Sequence, residues 1–264
     1  FTASNPTLAF GGFEGERKSR MYEQLPPQFC PASIYIQPAI PFPEVKKRLL
    51  DSAIRYPFIV KPDIGMKGIL FRKIENEAQL RKYHEHMPVD YIIQEFLDTT
   101  LEVSVFYIRM PGQEKGRITA LIQKDLFEVK GDGSSTILQL IQQGPVGVSL
   151  EKIKKQYGSK LETVLAEGQR FVLSHIGNLV NGAQFTNLAH KVDKNMEDLF
   201  DHISLSNQFY YGRYDIKCNS VDDLSKGKDF FILEFNGAGS VPNHIYTGTF
   251  SLGGAYKEIL YHWR

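Results

Sequence analysis

The sequence predicts an α+β protein of two lobes, on three observations. The 264 residues suffice for one large domain or two modest ones. The first hundred residues alternate strand and helix patterns in the order β-α-β-β-α-β. From Glu102 onward strand patterns dominate, with helical patterns inserted among them. We therefore expect a smaller lobe followed by a larger one, joined by a hinge near residues 94–99.

The elements of the first lobe follow from periodicity and from turn residues. Apolar residues recur on one face of 44–54, directly after Pro43, which predicts a helix there. The apolar residues Phe58-Ile59-Val60, followed by Lys61 and Pro62, predict a buried strand over 58–62. The other elements expected here are a helical turn at 19–25, strands at 33–37, 69–74 and 91–96, and a helix at 75–86. We divide the chain into an N-terminal segment (1–35), a first lobe (36–97) and a second lobe (98–264).

In the second lobe, aromatic and β-branched residues mark the strands. We expect antiparallel strands at 102–109, 117–124, 210–217 and 230–235, and helices at 136–143, 150–157 and 196–207. The polar run 219–229 lies between the last two strands and predicts a loop, so that these strands form a hairpin.

Bulk properties exclude several classes of protein. The formal net charge is +1, so the chain lacks the electrostatic footprint of a nucleic-acid-binding protein. No apolar run is long enough to cross a bilayer, and we see no signal peptide, so we expect no membrane partner. Cys30 and Cys218 are the two cysteines, which favours a reducing compartment and a cytoplasmic location.

Acidic and amide side chains share one face of the last two predicted strands. Glu234 and Asn236 are two residues apart and point the same way, and Asp215 on the partner strand can join them beside Arg213. Carboxylate and amide oxygens are the ligands that Mg²⁺ prefers, especially where a nucleotide phosphate completes the shell. The pattern indicates a site for Mg²⁺ or Mn²⁺. The alternative is the solvated face of an antiparallel sheet.

A lysine and a glycine loop occur together in the first lobe. Lys61 lies among apolar neighbours on a predicted strand, and a buried lysine is costly without an anionic partner. The next loop contains Gly65 and Gly68, and its backbone N–H groups can fold over a polyphosphate. The alternative for Lys61 is an edge lysine that extends to solvent.

The connection between the lobes has features of a nucleotide hinge. The strand end Glu95-Phe96-Leu97 exposes backbone groups that can read an adenine edge. The carboxylate of Glu102, shortly afterwards, can bind ribose hydroxyls. Lys217 shares a strand face with Asp215, although an exposed lysine at the strand tip is an equal alternative.

The order of these motifs resembles that of ATP-grasp carboxylate–amine ligases, and in plan that of D-alanine–D-alanine ligases. The matching segments span Lys18 to Asn236: Glu16-Arg17-Lys18-Ser19, Phe58-Ile59-Val60-Lys61-Pro62, Arg213-Tyr214-Asp215 and Leu233-Glu234-Phe235-Asn236-Gly237. The run from Val129 to Ile137 is similar to a turn of cyanophycin synthetases, whose substrate loop corresponds to residues 178–183 here. The chain departs from that family where Ser174-His175 replaces an arginine and where no proline follows Asn236.

The resemblance implies the ATP-grasp fold, ATP and Mg²⁺ as cofactors, and small-molecule carboxylate and amine substrates. It assigns Lys18 and Lys61 to the α- and β-phosphates, Lys124 to the γ-phosphate, and Arg213 to the transferred phosphoryl group. It assigns Asn178 to the acyl phosphate loop. It also implies that a preceding substrate domain is absent and that residues 1–35 are its remnant together with the first lysine helix. A homodimer is the assembly we consider.

Two other functions stay open at this point. One is a kinase-like phosphoryl transferase acting on a hydroxyl group, and the other is a non-catalytic ATP-binding module. We interpret His175, His190 and His244 as loop histidines with hydrogen-bond partners rather than as catalytic residues.

Overall fold

The computed structural model describes residues 4–13, 15–64, 68–99, 101–144, 149–248 and 250–262. The chain divides into two compact units, the first formed by Phe1–Ile122 with Leu188–Arg264 and the second by Gln123–Asn187. The boundaries of these units differ from the predicted boundaries at residues 35 and 97. The division of the chain at those two residues stays a prediction.

Helices and strands both occur throughout the described residues, which confirms the predicted α+β class. In chain order the elements are α1 (Lys18–Tyr22), β1 (Ser33–Ile36), α2 (Phe42–Leu50), β2 (Phe58–Pro62), β3 (Arg72–Ile74), α3 (Glu77–His86), β4 (Tyr91–Glu95), β5 (Leu101–Ile108), β6 (Arg117–Asp125), β7 (Glu128–Lys130), α4 (Ile137–Gln143), α5 (Leu150–Tyr157), β8 (Arg170–Val172), β9 (Gln184–Asn187), α6 (Lys194–Ser206), β10 (Tyr211–Cys218), α7 (Val221–Ser225), β11 (Phe230–Asn236) and α8 (Leu252–His262).

The smaller sheet of the first unit has the order β1-β4-β2-β3, with antiparallel neighbours throughout. Phe58 and Val60 point to one face, where they share an apolar core with Val45 of α2 and Leu80 of α3. Because side chains alternate along a strand, Lys61 points to the opposite face, away from both helices.

In the first unit, the larger sheet has the order β11-β10-β5-β6. The last three residues of β6 and the strand β9 belong to the second unit. One face of β5, β10 and β11 packs on α6 through a buried aromatic cluster that includes Phe200, Phe209, Tyr214 and Phe235. The residues that alternate with Tyr214 and Phe235 therefore lie on the other face of this sheet.

The expectation that 219–229 is a plain loop is wrong, because the short helix α7 lies within it. Ser220 caps this helix by accepting a 3.0 Å hydrogen bond from the backbone N–H of Asp223. The strands on either side nevertheless pair as predicted. The sequence analysis also missed β7, β8, β9 and α8, of which the three strands are only three or four residues long.

The second unit has a separate apolar core, formed among others by Ile137, Ile141, Ile153 and Leu165. Helix α4 begins with a capping box in which Thr136 and Gln139 satisfy each other's backbone N–H groups. The two helices predicted for this region are present, at Ile137–Gln143 and Leu150–Tyr157.

Across the described part of the chain, no helix combines the length and apolarity required for a membrane span.

The buried side chain of Asn5 ties the N-terminal segment to the start of β10. Its amide nitrogen donates to the carbonyl groups of Gly11 and Tyr211 at 2.9 and 2.8 Å. Its amide oxygen accepts from the backbone N–H groups of Tyr210 and Tyr211 at 2.9 and 3.1 Å. All four bonds depend on one fully buried side chain.

We predict that Asn5→Ala lowers the free energy of unfolding by about 2–4 kcal/mol, because it leaves buried donors and acceptors without partners. Urea denaturation of the variant measures this loss. The exposed Asn195 provides the matched control, and Asn195→Ala should change the free energy by less than about 0.5 kcal/mol. Equal stability of the two variants would contradict the role given to Asn5.

Candidate functional site

The acidic residues predicted to bind metal are direct neighbours across two strands. In the register of β10 and β11, Asp215 stands opposite Glu234, and Arg213 stands opposite Asn236. A register shift follows immediately, between Asp215 and Ile216. All four side chains therefore lie on the sheet face opposite the aromatic core.

Arg213 neutralises Asp215 through two parallel hydrogen bonds. Its Nε and Nη2 atoms donate to the two carboxylate oxygens, each at 3.0 Å. Burial alone would lower the pKa of Arg213, but the charges of Asp215, Glu234 and Glu16 outweigh it and raise the pKa. Bidentate pairing of this kind fixes orientation as well as charge.

The cation that pairs with Glu234 is Lys18, near the start of the chain. The Nζ atom of Lys18 lies 3.6 Å from Oε2 of Glu234. Lys18 is the first residue of α1, where its backbone N–H donates to the carbonyl of Asp63 at 2.9 Å. The Asp63 carboxylate accepts from the backbone N–H of Ser19 at 2.8 Å, as suits an anion at a helix N-terminus.

Lys61 is buried among neutral acceptors. Its Nζ atom donates to Oε1 of Gln94 at 3.0 Å and to the carbonyl of Leu233 at 3.5 Å. The hydroxyl of Tyr22 donates to the same carbonyl. Burial and the neighbouring charge of Lys18 lower the pKa of Lys61 to about 7, although Glu234 and Glu102 act in the opposite direction.

Sequence analysis missed Glu16 as a site residue. Its Oε1 atom accepts a 3.2 Å hydrogen bond from the backbone N–H of Gly237, directly after Asn236. Burial raises the pKa of the Glu16 carboxyl, and the charge of Glu234 raises it further. The available signal was the glycine pair Gly11-Gly12 just before it. A Cβ atom on Gly12 would come within 2.6 Å of the Gly237 backbone, so this approach requires glycine.

Two of the predicted hinge residues, Phe96 and Leu97, contact Lys217. The Nζ atom of Lys217 donates to the carbonyl of Leu97 at 3.1 Å and lies 5.9 Å from the ring centroid of Phe96. Lys217 therefore has defined partners, unlike a solvent-exposed lysine at a strand tip. Glu102 stands opposite Lys217 in the register of β5 and β10.

Two other predicted residues have local contacts in the smaller sheet. The carboxylate of Glu95 accepts from the backbone N–H of Ala32 at 2.7 Å, which holds the chain that leads into β1. Gly68 adopts a positive φ of 85° in a turn. Gly65 lies outside the described residues.

Two predicted residues, Lys124 and Asn178, belong to the second unit. Lys124 is buried in β6. Asn178 caps a single 3-10 turn, with its side-chain oxygen accepting from the backbone and side-chain nitrogens of Asn181 at 2.9 and 2.7 Å. A cavity of about 220 Å³ in this unit is lined by residues of β7 and α4 and by neither Lys124 nor Asn178.

The donor set at β10 and β11 fits a hard divalent cation. Asp215 and Glu234 supply carboxylate oxygens. The amide nitrogen of Asn236 donates to Oδ2 of Asp215 at 3.3 Å, so the amide oxygen of Asn236 points away from this carboxylate. Among the described residues, no group of three or more His, Cys, Asp and Glu side chains has the geometry of a metal site. The candidate site thus has two acids and an amide, which suits an ion that also binds phosphate oxygens.

Comparisons with solved structures give similar folds at low sequence identity. VanG D-Ala:D-Ser ligase from Enterococcus faecalis superimposes with a TM-score of 0.53 and 11% identity, over 94% of this chain and 61% of that one. The ADP complex of N5-carboxyaminoimidazole ribonucleotide synthetase gives a TM-score of 0.53 and 9% identity, over 94% of this chain and 51% of that one. This chain thus spans about half of one neighbour and about three fifths of the other.

No protein-family model matches the sequence, and comparison with curated proteins gives no match. The structural similarities show the fold, and the chain has the ATP-grasp fold that the order of its motifs predicted.

We predict that Lys61 makes the stability of the protein rise with pH between about 7 and 10.5. In this interval the unfolded chain carries a proton on Lys61 that the folded protein has lost, so raising the pH favours the folded state. This contribution is complete above the unfolded pKa and disappears as the pH falls to about 7.

The difference in free energy of unfolding between the wild type and Lys61→Met, measured at several pH values, isolates this contribution. The wild type should gain stability relative to the variant as the pH rises. The exposed Lys257→Met provides the control, with a pH-independent difference. A flat difference for Lys61→Met would contradict the burial of an uncompensated ammonium group.

Proposed function

We propose that this chain binds Mg²⁺-ATP and uses it to activate a small-molecule carboxylate as an acyl phosphate, which an amine then attacks to form a C–N bond. The observation that carries the proposal is the convergence, within the first unit, of two ammonium groups with an acidic strand pair. Lys61 contacts Leu233, and Lys18 lies beside Glu234, the next residue of β11. ATP carries the negative charge that this arrangement can hold.

The lysines are suited to the α- and β-phosphates. Both are buried, and Lys61 lacks a carboxylate within its described hydrogen bonds, so an incoming phosphate would compensate its charge. The hinge at Glu95-Phe96-Leu97 would read adenine, and Glu102 would bind the ribose. The main-chain nitrogen of Gly68 would contribute to the phosphate loop.

Asp215, Glu234 and Asn236 would hold Mg²⁺ or Mn²⁺ at the β- and γ-phosphates. When bound, such an ion offsets the charge of the phosphate oxygens and orients them. The strand register, which sets the two carboxylates opposite each other, and their contacts with Arg213 and Lys18 support this role.

In the first step a carboxylate oxygen forms a bond to the γ-phosphorus, and the bond from that phosphorus to the β-γ bridging oxygen breaks, which releases ADP. Arg213 would stabilise the transferred phosphoryl group by hydrogen bonds and charge. In the second step the amine nitrogen bonds to the acyl carbon, phosphate leaves, and the nitrogen loses a proton. Arg213 would also stabilise the oxyanion of the tetrahedral intermediate.

The roles of Lys124 at the γ-phosphate and of Asn178 at the acyl phosphate stay predictions. These roles rest on the motif resemblance. The homodimer and the cytoplasmic location also stay predictions.

The proposal is tested by trapping the acyl phosphate. We expect that the protein, incubated with Mg²⁺-ATP, a set of amino acids and hydroxylamine, releases ADP and forms a hydroxamate, because hydroxylamine attacks the acyl carbon. ADP release is followed with a coupled assay, and the hydroxamate by its colour with ferric iron. ADP without hydroxamate would favour the kinase, and bound but unhydrolysed ATP would favour the binding module.

We predict that Glu234→Gln lowers Mg²⁺-dependent turnover by about 100-fold or more, because it removes a charged ligand from the proposed ion. The midpoint of thermal unfolding should change little, since Glu234 is partly exposed at 33% of its side chain. The exposed Glu85→Gln is the matched control and should keep full activity. Wild-type turnover in Glu234→Gln would refute the metal assignment.

A further inference from the structure

A turn and the last helix cover the sheet face that carries Arg213. Ser104 and Phe106 of β5 stand opposite Asp215 and Arg213 of β10, so all four lie on this face. The ring of His262, in α8, packs edge-on against Phe106 with 5.2 Å between the ring centroids. Helix α8 therefore lies beside Arg213, although its sequence is far from the predicted motifs.

Asn243, in the turn that precedes α8, bonds directly to Arg213. Its Oδ1 atom accepts from Nη1 of Arg213 at 3.1 Å, and its Nδ2 atom donates to Oγ of Ser104 at 3.2 Å. Asn243 is 6% exposed and Ser104 is 1% exposed. The donor to Ser104 fixes which way the amide faces, so that its oxygen is the atom turned toward the guanidinium.

Asp215 binds two of the three guanidinium nitrogens of Arg213, and Asn243 binds the third. Asp215 engages Nε and Nη2, and Asn243 engages Nη1. A guanidinium group has five N–H donors, of which these bonds among the described residues use three. The other two N–H donors can bind an anion. The contacts with Asp215 and Asn243 meanwhile hold the guanidinium group at all three of its nitrogens.

Helix α8 holds the turn through Glu258. The Nε2 atom of His244 donates to the Glu258 carboxylate at 3.0 Å. His262 donates from Nδ1 to the carbonyl of Glu258 at 2.8 Å, since a carbonyl oxygen only accepts. Its Nε2 atom then accepts from the hydroxyl of Thr119 on β6 at 2.9 Å. Burial lowers the pKa of His262, in agreement with this neutral ring.

We propose that Asn243 is a positioning residue that fixes the guanidinium of Arg213, and that α8 keeps Asn243 in place through the His244–Glu258 contact. Asn243 acts through Arg213 and not on the substrate. The catalytic value of this arrangement rests on the proposed function, because Arg213 then faces the transferred phosphoryl group. The positioning itself is a property of the protein without ligand.

The first test measures rotation about the Cζ–Nη bonds of Arg213 by ¹⁵N NMR of the free protein. We expect Asn243→Ala to accelerate the rotation by about tenfold or more, since a hydrogen bond to a charged group is lost. Asn243→Asp should restore slow rotation, because its carboxylate accepts from Arg213 and from the Ser104 hydroxyl. The exposed Asn195→Ala is the control. Unchanged rotation in Asn243→Ala would overturn the proposal.

The second test measures binding of Mg²⁺-AMP-PNP and Mg²⁺-ADP by calorimetry. Asn243→Ala should reduce the preference for the triphosphate analogue by about tenfold while the affinity for ADP stays the same. Glu258→Ala should act in the same direction, and Lys257→Ala on the exposed side of α8 should have no effect. An equal loss for both nucleotides would overturn the positioning role.

The two tests separate this inference from the proposed function. If the wild type binds neither nucleotide, the proposed function fails, and the rotation rates still decide whether Asn243 fixes Arg213. If Asn243→Ala does not fold, Ser104→Ala removes the second partner of the same amide and should accelerate the rotation. Slow rotation in a folded Ser104→Ala would then count against the proposal.

Discussion

Two carboxylates stand opposite each other on neighbouring strands, and the rest of the site depends on how their repulsion is balanced. Like charges directly across a strand pair destabilise a sheet. Here Asp215 is balanced by Arg213 on its own strand and Glu234 by Lys18 from α1. Docking of the N-terminal segment on the sheet therefore supplies the cation that balances Glu234.

That docking combines close backbone contact with the burial of Leu8, Met21 and Leu25 in the core of the larger sheet. The backbone N–H groups of Ala238 and Gly239 donate to the carbonyls of Gly11 and Gly12 at 3.0 and 2.9 Å. Buried Asn5 joins the same segment to the start of β10. Side chains on Gly12, Gly237 or Gly239 would separate the two backbones, and Lys18 and Glu16 would then lose their places beside β11.

One of the three cations of the site, Lys61, differs from the other two in its hydrogen-bond partners. Arg213 and Lys18 have acidic partners, whereas Lys61 donates to an amide and a backbone carbonyl. A buried amine with neutral acceptors releases its proton easily, and an anion nearby reverses this. The arrangement thus favours a polyanionic ligand over a neutral one, and the rigid hold on Arg213 reduces the reorganisation needed when charge develops.

Local sequence patterns were sufficient to predict the class of fold, most elements and the sheet face that carries the acids. Alternation along a strand is local, so Glu234 and Asn236 had to share a face, and apolar neighbours marked Lys61 as buried. The helix α7 had a local signal as well, the Ser220 cap, which the polar composition of its loop obscured.

The residues that contact those acids come from distant parts of the sequence and are brought there by tertiary packing. Glu16 contacts Gly237, and the cation for Glu234 comes from Lys18, each across more than two hundred residues of sequence. Asn243 reaches Arg213 because β5 and β10 pair in one register, which no local pattern specifies. Strand register and the docking of the N-terminal segment result from the packing of whole elements. A local sequence pattern therefore does not specify them.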